Sequence, residues 1–315
     1  MIRSTRLGIL VGATSLLALT ALPIASAHSS VPASPVAEAG HQDITHGTTA
    51  AQQKRAVLRL LDAYRTGDRS AFAVINPEKF IQHDPALGDG LAGLKSWLAS
   101  APRGAISVDP VRVLVDGPYV LVHSNTKLPT GRTVAWDVFR FEQGRIVEHW
   151  GTHQPAAGPN GAGHTEIDGP TRVVDNQRTD ANKRLVWQGM TEVFMQGDFS
   201  RYGEPIWKAD TYIQHSLGVA SDGVAGSKPF YESLVKTGKL RVDKINKVFG
   251  EGNFTLVIGQ GSYEGTPYSY YDLFRLSRGK IVEHWDVMNP LTPADQAKNA
   301  NGQFNFPQDP LTDHR

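Results

Sequence analysis

Apolar and polar positions recur along this chain in two ways. Val57, Leu60, Leu61 and Tyr64 follow i, i+3, i+4, i+7 spacing. That spacing predicts an amphipathic helix, with Gly67 as its stop. Trp187, Met190 and Phe194 repeat the arrangement, ended by Gly197. Shorter helices are predicted over 91–100 and 226–236. Beyond each, the period falls to two, which predicts strands over 108–115, 118–126, 132–142 and 145–153. The second series is 241–249, 253–262, 266–277 and 280–288. Turn dipeptides separate them at Asp116-Gly117, Gln143-Gly144, Glu251-Gly252 and Arg278-Gly279. Helices followed by an antiparallel meander define an α+β class, with helices covering one face of a curved sheet.

The two series are copies. Residues 137–150 read DVFRFEQGRIVEHW and residues 272–285 read DLFRLSRGKIVEHW; nine of the fourteen positions are identical. Phe80-Ile81-Gln82-His83 answers Tyr212-Ile213-Gln214-His215, and Asp89-Gly90 answers Asp222-Gly223. The order is kept while the offset drifts by a few residues, as small loop insertions would produce. A tandem duplication with copies at 51–155 and 180–290 follows. Gly, Pro and Asn mark 156–179 as a linker. The tail 291–315 is expected to wrap the surface or fray.

The N-terminal segment has a different character. Arg3 and Arg6 precede an uncharged apolar run, and Ala25-Ser26-Ala27 closes it. This is the layout of a secretory signal peptide, residues 1–27, cleaved near Ala27, so a secreted, extracellular protein is expected. Residues 28–50 are rich in Ser, Pro, Ala and Thr and read as a flexible tether. The chain of 315 residues has no cysteine, which excludes disulfides, thiolate metal sites and cysteine nucleophiles. Formal net charge is +1, and removal of the two signal arginines makes it −1. That balance argues against a nucleic-acid partner, which needs a basic patch. No membrane association is expected after cleavage.

Candidate chemistry comes from polar residues on apolar strand faces. Asp272, Phe274 and Leu276 share one face, and so do Val282, His284 and Asp286. Asp272 and Asp286 lie roughly symmetrically about the Arg278-Gly279 turn and are expected to meet across the ladder. Paired, desolvated carboxylates have raised pKa values, which suit general acid/base catalysis. Asp286 and Asp272 are therefore the catalytic candidates, with His215 placed to orient one of them. His284 and Tyr212 are expected to line the same pocket. In the first copy His83, His123, Asp137 and His149 are expected as pocket residues. The first copy has Gly151 where the second has Asp286, so it lacks the second carboxylate. A metal reading of His149 and His153 needs a third ligand, with His83 or Asp137 as candidates. A hydrogen-bonded polar pocket accounts for these residues, and no metal is assigned. No cofactor motif is present, neither P-loop, Rossmann fingerprint nor nucleophile elbow.

The order helix, (F/Y)IQH, DG-helix, meander and closing D-(V/L)-F-R-x-x-x-G-(R/K)-I-V-E-H-W resembles the SnoaL-like branch of the nuclear-transport-factor-2-like superfamily. The resemblance covers nearly all of both copies. It implies two cone-shaped α+β barrels, each with a pocket between helices and concave sheet. It also implies relatives that include polyketide cyclases, ketosteroid isomerases and epoxide hydrolases. In the cyclases an acid/base Asp follows the EHW-like strand, with a His partner 14 residues before it. Asp286 matches the Asp, whereas Asp272 stands where the His belongs. By this transfer the first copy looks non-catalytic. Sheet-mediated dimers are common in the superfamily, so an internal pseudo-dimer is implied. The expectation is a pocket for a small hydrophobic carbonyl compound serving a cofactor-independent isomerase, cyclase or aldol-type reaction. The alternative is a secreted binding protein without turnover.

Overall fold

The computed structural model describes residues 48–309 and 311–312. The expected signal segment, its cleavage point and nearly all of the tether lie outside the described residues. Both repeats belong to one compact unit.

In the first repeat, helix α1 (Ala50–Thr66) is set by its ends. Thr49 and Gln52 form a capping box, and Gly67 closes the helix at φ 71°. Strand β1 (Ile81–Gln82) and helix α2 (Gly90–Ala99) follow. The meander is β2 (Ser107–Asp116), β3 (Tyr119–Leu128), β4 (Gly131–Glu142) and β5 (Arg145–Pro155). The second repeat has α3 (Thr179–Gly189), prolonged by a π-helical turn over Met190–Met195, then β6 (Ile213–Gln214) and α4 (Val224–Lys236). Its meander is β7 (Leu240–Glu251), β8 (Phe254–Tyr263), β9 (Thr266–Ser277) and β10 (Lys280–Pro290).

Strand order is β1-β5-β4-β3-β2 in one sheet and β6-β10-β9-β8-β7 in the other. The end strands do not pair with each other, so each expected barrel is an open, mixed sheet with helices laid against it. The period-two pattern misses β1 and β6, which have only two residues each. They run parallel to β5 and β10, in register Gln82↔His149 and His284↔Gln214.

Both faces of each sheet are buried. The concave faces pack under their own helices, with Val57, Leu60, Val122 and Phe139 in one repeat and Val186, Val257 and Phe274 in the other. The opposite faces share a third cluster in which Trp136, Trp150 and Leu121 join Leu256, Tyr271 and Trp285. Four of the largest fully buried side chains are tryptophans, two from each repeat.

The segments after each meander cross to the other repeat. The connector after β5 lies on the second repeat, where the Asn160 amide donates to the Gln214 and Ser216 carbonyls at 2.6 and 3.2 Å. The tail after β10 lies on the first repeat, where Asn299 donates to the Asp84 and Leu87 carbonyls and Phe306 stacks on Trp150 at 4.5 Å. Its later described residues return to the second repeat, where the Lys247 ammonium donates to the Pro307 and Gln308 carbonyls, so the described part of the tail packs against both repeats.

Candidate functional site

A bulge positions the acids. The two-residue turn Arg278-Gly279 (φ 51° and 76°) pairs Ser277 with Lys280. Without further irregularity this register would set Asp286 opposite Tyr271. Val282 is bulged out between Ile281 and Glu283, and the register slips by one, so that Asp286 lies directly opposite Asp272. The first repeat has the same bulge at Val147, which sets Gly151 opposite Asp137.

Beside these positions each repeat carries the same dyad. In the second, His284 Nε2 lies 3.1 Å from Asp272 Oδ1, and His284 Nδ1 lies 2.8 Å from Gln214 Oε1. In the first, the distances are 2.9 Å from His149 Nε2 to Asp137 and 2.9 Å from Nδ1 to Gln82. The backbone N–H of Ser216 or Asp84 donates to the same glutamine oxygen, at 3.2 or 2.9 Å. That donor fixes the amide orientation, so Nδ1 must donate to it. Each dyad is thus an Asp–His pair whose ring is oriented by a glutamine on the far side.

The second carboxylate reaches the two cavities by different routes. In the second repeat it is Asp286, whose pKa is raised by desolvation and, less, by Asp272. In the first repeat it is Asp84, on the loop after β1. A Cβ added at Gly151 would lie 2.8 Å from Asp84 Oδ2, so this carboxyl fills the space of the missing side chain. Its pKa is also raised, chiefly by desolvation. The residue corresponding to Asp84 in the second copy is Ser216, whose hydroxyl hydrogen-bonds Asp286 and accepts from Tyr231 OH at 2.8 Å. The expectation that the first copy lacks a second acid is therefore corrected.

The cavities themselves are apolar with a few polar groups. The second, of about 40 Å³, lies between Met190, Phe194, Val242, Phe274, Tyr212, Tyr231, Tyr270 and the acids. The first, of about 90 Å³, is lined by Tyr64, Trp97, Leu87, Asp84, Asp137, His149 and His153. Tyr270 OH is buried and has no hydrogen-bond partner among the described residues. Desolvation raises its pKa and keeps the proton available for donation. The repeat comparison hides this residue, because Ala135 stands at the matching place.

Asp272, Asp286, His284 and Tyr212 converge on the second cavity, and Asp137 and His149 on the first. The three other expected site residues do not. His215 stacks on Trp285 at 4.5 Å, with Nε2 on Glu283 at 2.9 Å. His83 stacks on Trp150 at 4.4 Å and its Nδ1 bonds the Gly302 carbonyl. His123 stacks on Trp136 at 4.6 Å beside Arg112, and burial then the Arg112 charge hold its pKa well below the usual histidine value. Strand alternation explains all three. Gln82 and Gln214 face the cavity, so the following histidine faces the opposite side. His123 likewise alternates with the cavity-facing Val122. The residue at the matching place in the second repeat is Ile258, and its burial marks the shared far face, which is as deeply buried as the cavity side.

Residues 57–149 match the family model for the SnoaL-like domain. The first repeat is thus a SnoaL-like domain, and the second repeats its strand order, its bulge and its Asp–His dyad. Among solved structures the chain is similar to TsrD from Streptomyces laurentii, with 18% identity over 34% of this chain and 92% of that one, TM-score 0.30. It is also similar to a SnoaL-like protein of unknown function from Burkholderia thailandensis, with 17% identity over 34% and 99% of the chains, TM-score 0.30. A candidate polyketide cyclase from Sinorhizobium meliloti shares 20% identity over 31% and 94%, TM-score 0.28. No curated protein matches the sequence.

Proposed function

We propose that this is an exported, cofactor-independent acid/base enzyme whose cavities take a small hydrophobic carbonyl compound. The observation that carries the reading is a desolvated carboxylate beside an Asp–His dyad, present in both cavities although supplied from different chain positions. A desolvated carboxylate is a stronger base once ionised, and it faces an apolar space suited to a ketone. In the second cavity Asp286 removes a proton from the carbon next to the carbonyl. The electron pair moves onto the carbonyl oxygen, and Tyr270 OH donates a hydrogen bond to the enolate. Return of the proton at the same or a conjugated carbon gives exchange or isomerisation, and attack of the enolate on a second carbonyl gives aldol closure. Asp84 is the corresponding base in the first cavity.

The test is α-proton exchange of hydrophobic ketones in D2O followed by NMR, with ligand binding measured alongside. Exchange is expected with the natural sequence and is expected to fall by at least about 100-fold in an Asp84→Asn/Asp286→Asn double variant, while binding is kept. Binding without exchange in the natural protein refutes catalysis and leaves a secreted binding protein. Retention of the N-terminal residues after export, read by mass spectrometry, would refute cleavage near Ala27.

A further inference from the structure

We propose that His164, Asp168 and His215 form a binding site for one zinc-class divalent cation that fastens the connector to the second repeat. The site lies on the far side of the sheet from the cavity. Among the described residues this is the one group of three His, Asp or Glu side chains whose ligand atoms lie within 4.8 Å of one another. The Asn160 contacts to the second repeat hold the connector turn over His215. His215 Nδ1 meets Asp168 Oδ1 at 2.7 Å and the Thr165 carbonyl at 2.8 Å, while Nε2 meets Glu283 at 2.9 Å. Two oxygens therefore converge on Nδ1, which carries at most one N–H group, and a cation held there would take Asp168 and the Thr165 carbonyl together as oxygen ligands. His164 turns Nδ1 toward Asp168, 4.0 Å away, and its Nε2 is held by Asp222 at 2.9 Å.

The far nitrogen of each imidazole is thus bonded to a carboxylate, Asp222 for one and Glu283 for the other. Carboxylates so placed orient and strengthen metal-bound histidines. Ligands at about 2.1 Å from a tetrahedral ion stand roughly 3.4 Å apart. Reaching that spacing asks the widest pair, up to 4.8 Å apart, to close by about 1.4 Å and the 2.7 Å pair to open, through side-chain rotation of Asp168, which is exposed, and His164, which is partly buried. Two imidazoles and one carboxylate suit zinc, nickel or cobalt, whereas calcium and magnesium prefer all-oxygen sets. The equivalent histidine under the tail, His83, meets the Gly302 carbonyl and no acid, and its Nε2 has no partner among the described residues. The ligand set is therefore specific to the connector.

Full-length protein is stripped with a chelator and titrated with zinc chloride by calorimetry, with thermal unfolding in zinc, calcium or magnesium as a second reading. One zinc per chain and a raised midpoint in zinc alone are expected. His164→Ala and Asp168→Asn, both at accessible positions, are expected to keep the natural circular dichroism and to weaken zinc at least about tenfold. Absence of one-to-one zinc binding overturns the proposal. So does zinc binding left intact in both variants, which would place the ion elsewhere, on His28, His41 or His46 for instance.

Discussion

The exchange of a carboxylate between positions 84 and 151 makes a sharp prediction. Gly151 lies on β5 with ordinary extended backbone, so only space limits substitution there. Gly151→Asp would copy the second repeat into the first, but its Cβ would stand 2.8 Å from Asp84 Oδ2 and 3.3 Å from the His149 ring. Overpacking of this kind costs about 1–3 kcal/mol. Two carboxyl groups would also share one desolvated space, which forces one to stay protonated. A total of about 3 kcal/mol is expected, or a fall of roughly 6–12 °C in midpoint for a cooperative unit of this size. Adding Asp84→Ser, the residue that the second repeat uses, removes both the clash and the extra acid, and should restore most of the loss. Urea unfolding at pH 7 of the single, the reverse single and the double variant forms a double-mutant cycle. Additive effects, or a Gly151→Asp variant as stable as the natural protein, would refute the assignment of Asp84 to this space.

Other predictions concern charge and the crossing segments. Asp286 has a raised folded pKa, so above the ordinary carboxylate value of 3.8 the folded state binds more protons than the unfolded one. Stability therefore falls as pH rises through that window, and Asp286→Asn should be more stable than the natural protein at pH 7, with the advantage fading near pH 4; an unchanged pH–stability profile would sink this. Arg112 donates to the carbonyls of Ile167, Asp168 and Pro170 and lies 4.1 Å over the Trp285 ring. Desolvation lowers its pKa to about 10, and it stays charged at neutral pH. Arg112→Ala should cost at least about 3 kcal/mol and speed proteolytic cleavage within 156–179; equal cleavage rates would count against it. Deleting residues after Pro290 removes Phe304 and Phe306 from the shared core. Each phenyl is only partly buried, so a loss of about 2–3 kcal/mol is expected in denaturant unfolding, with tryptophan fluorescence reporting exposure of Trp150.

Much of the fold was legible because its signals are local. Period, turn dipeptides and the internal repeat set the eight long strands and both major helices. The pairing of Asp272 with Asp286 followed from symmetry about one turn, although the bulge that perfects it carries no signal of its own. What stayed hidden required knowing which face of a buried sheet is which. His83, His123 and His215 sit on a face that is as apolar as the cavity side, because the two sheets share a core there. Apolar alternation marks burial and does not name the neighbour. Asp84 was missed because β1 is too short to read, so nothing placed its side chain. The signal was nonetheless present in the repeat: Asp84 faces Ser216 in alignment just as Gly151 faces Asp286. Two substitutions of opposite sense, neither conservative, point to one chemical group moved between two nearby places.

That compensation bears on what the duplication has kept. The surrounding parts of both cavities are common to the two copies: the glutamine that orients the histidine, the dyad, and the bulge that aims the last strand. Around this constant frame the lining differs, with Tyr270 against Ala135 and Met288 against His153. A domain retained only to pack against its partner would need Trp136 and Trp150 on the shared face and no desolvated acid on the other. An ionisable group in an apolar cavity is costly to the fold, and the first repeat has one although glycine stands at the position that the second uses. Under the proposed function, the pattern supports two working cavities with different linings over one active copy carried by an inert support.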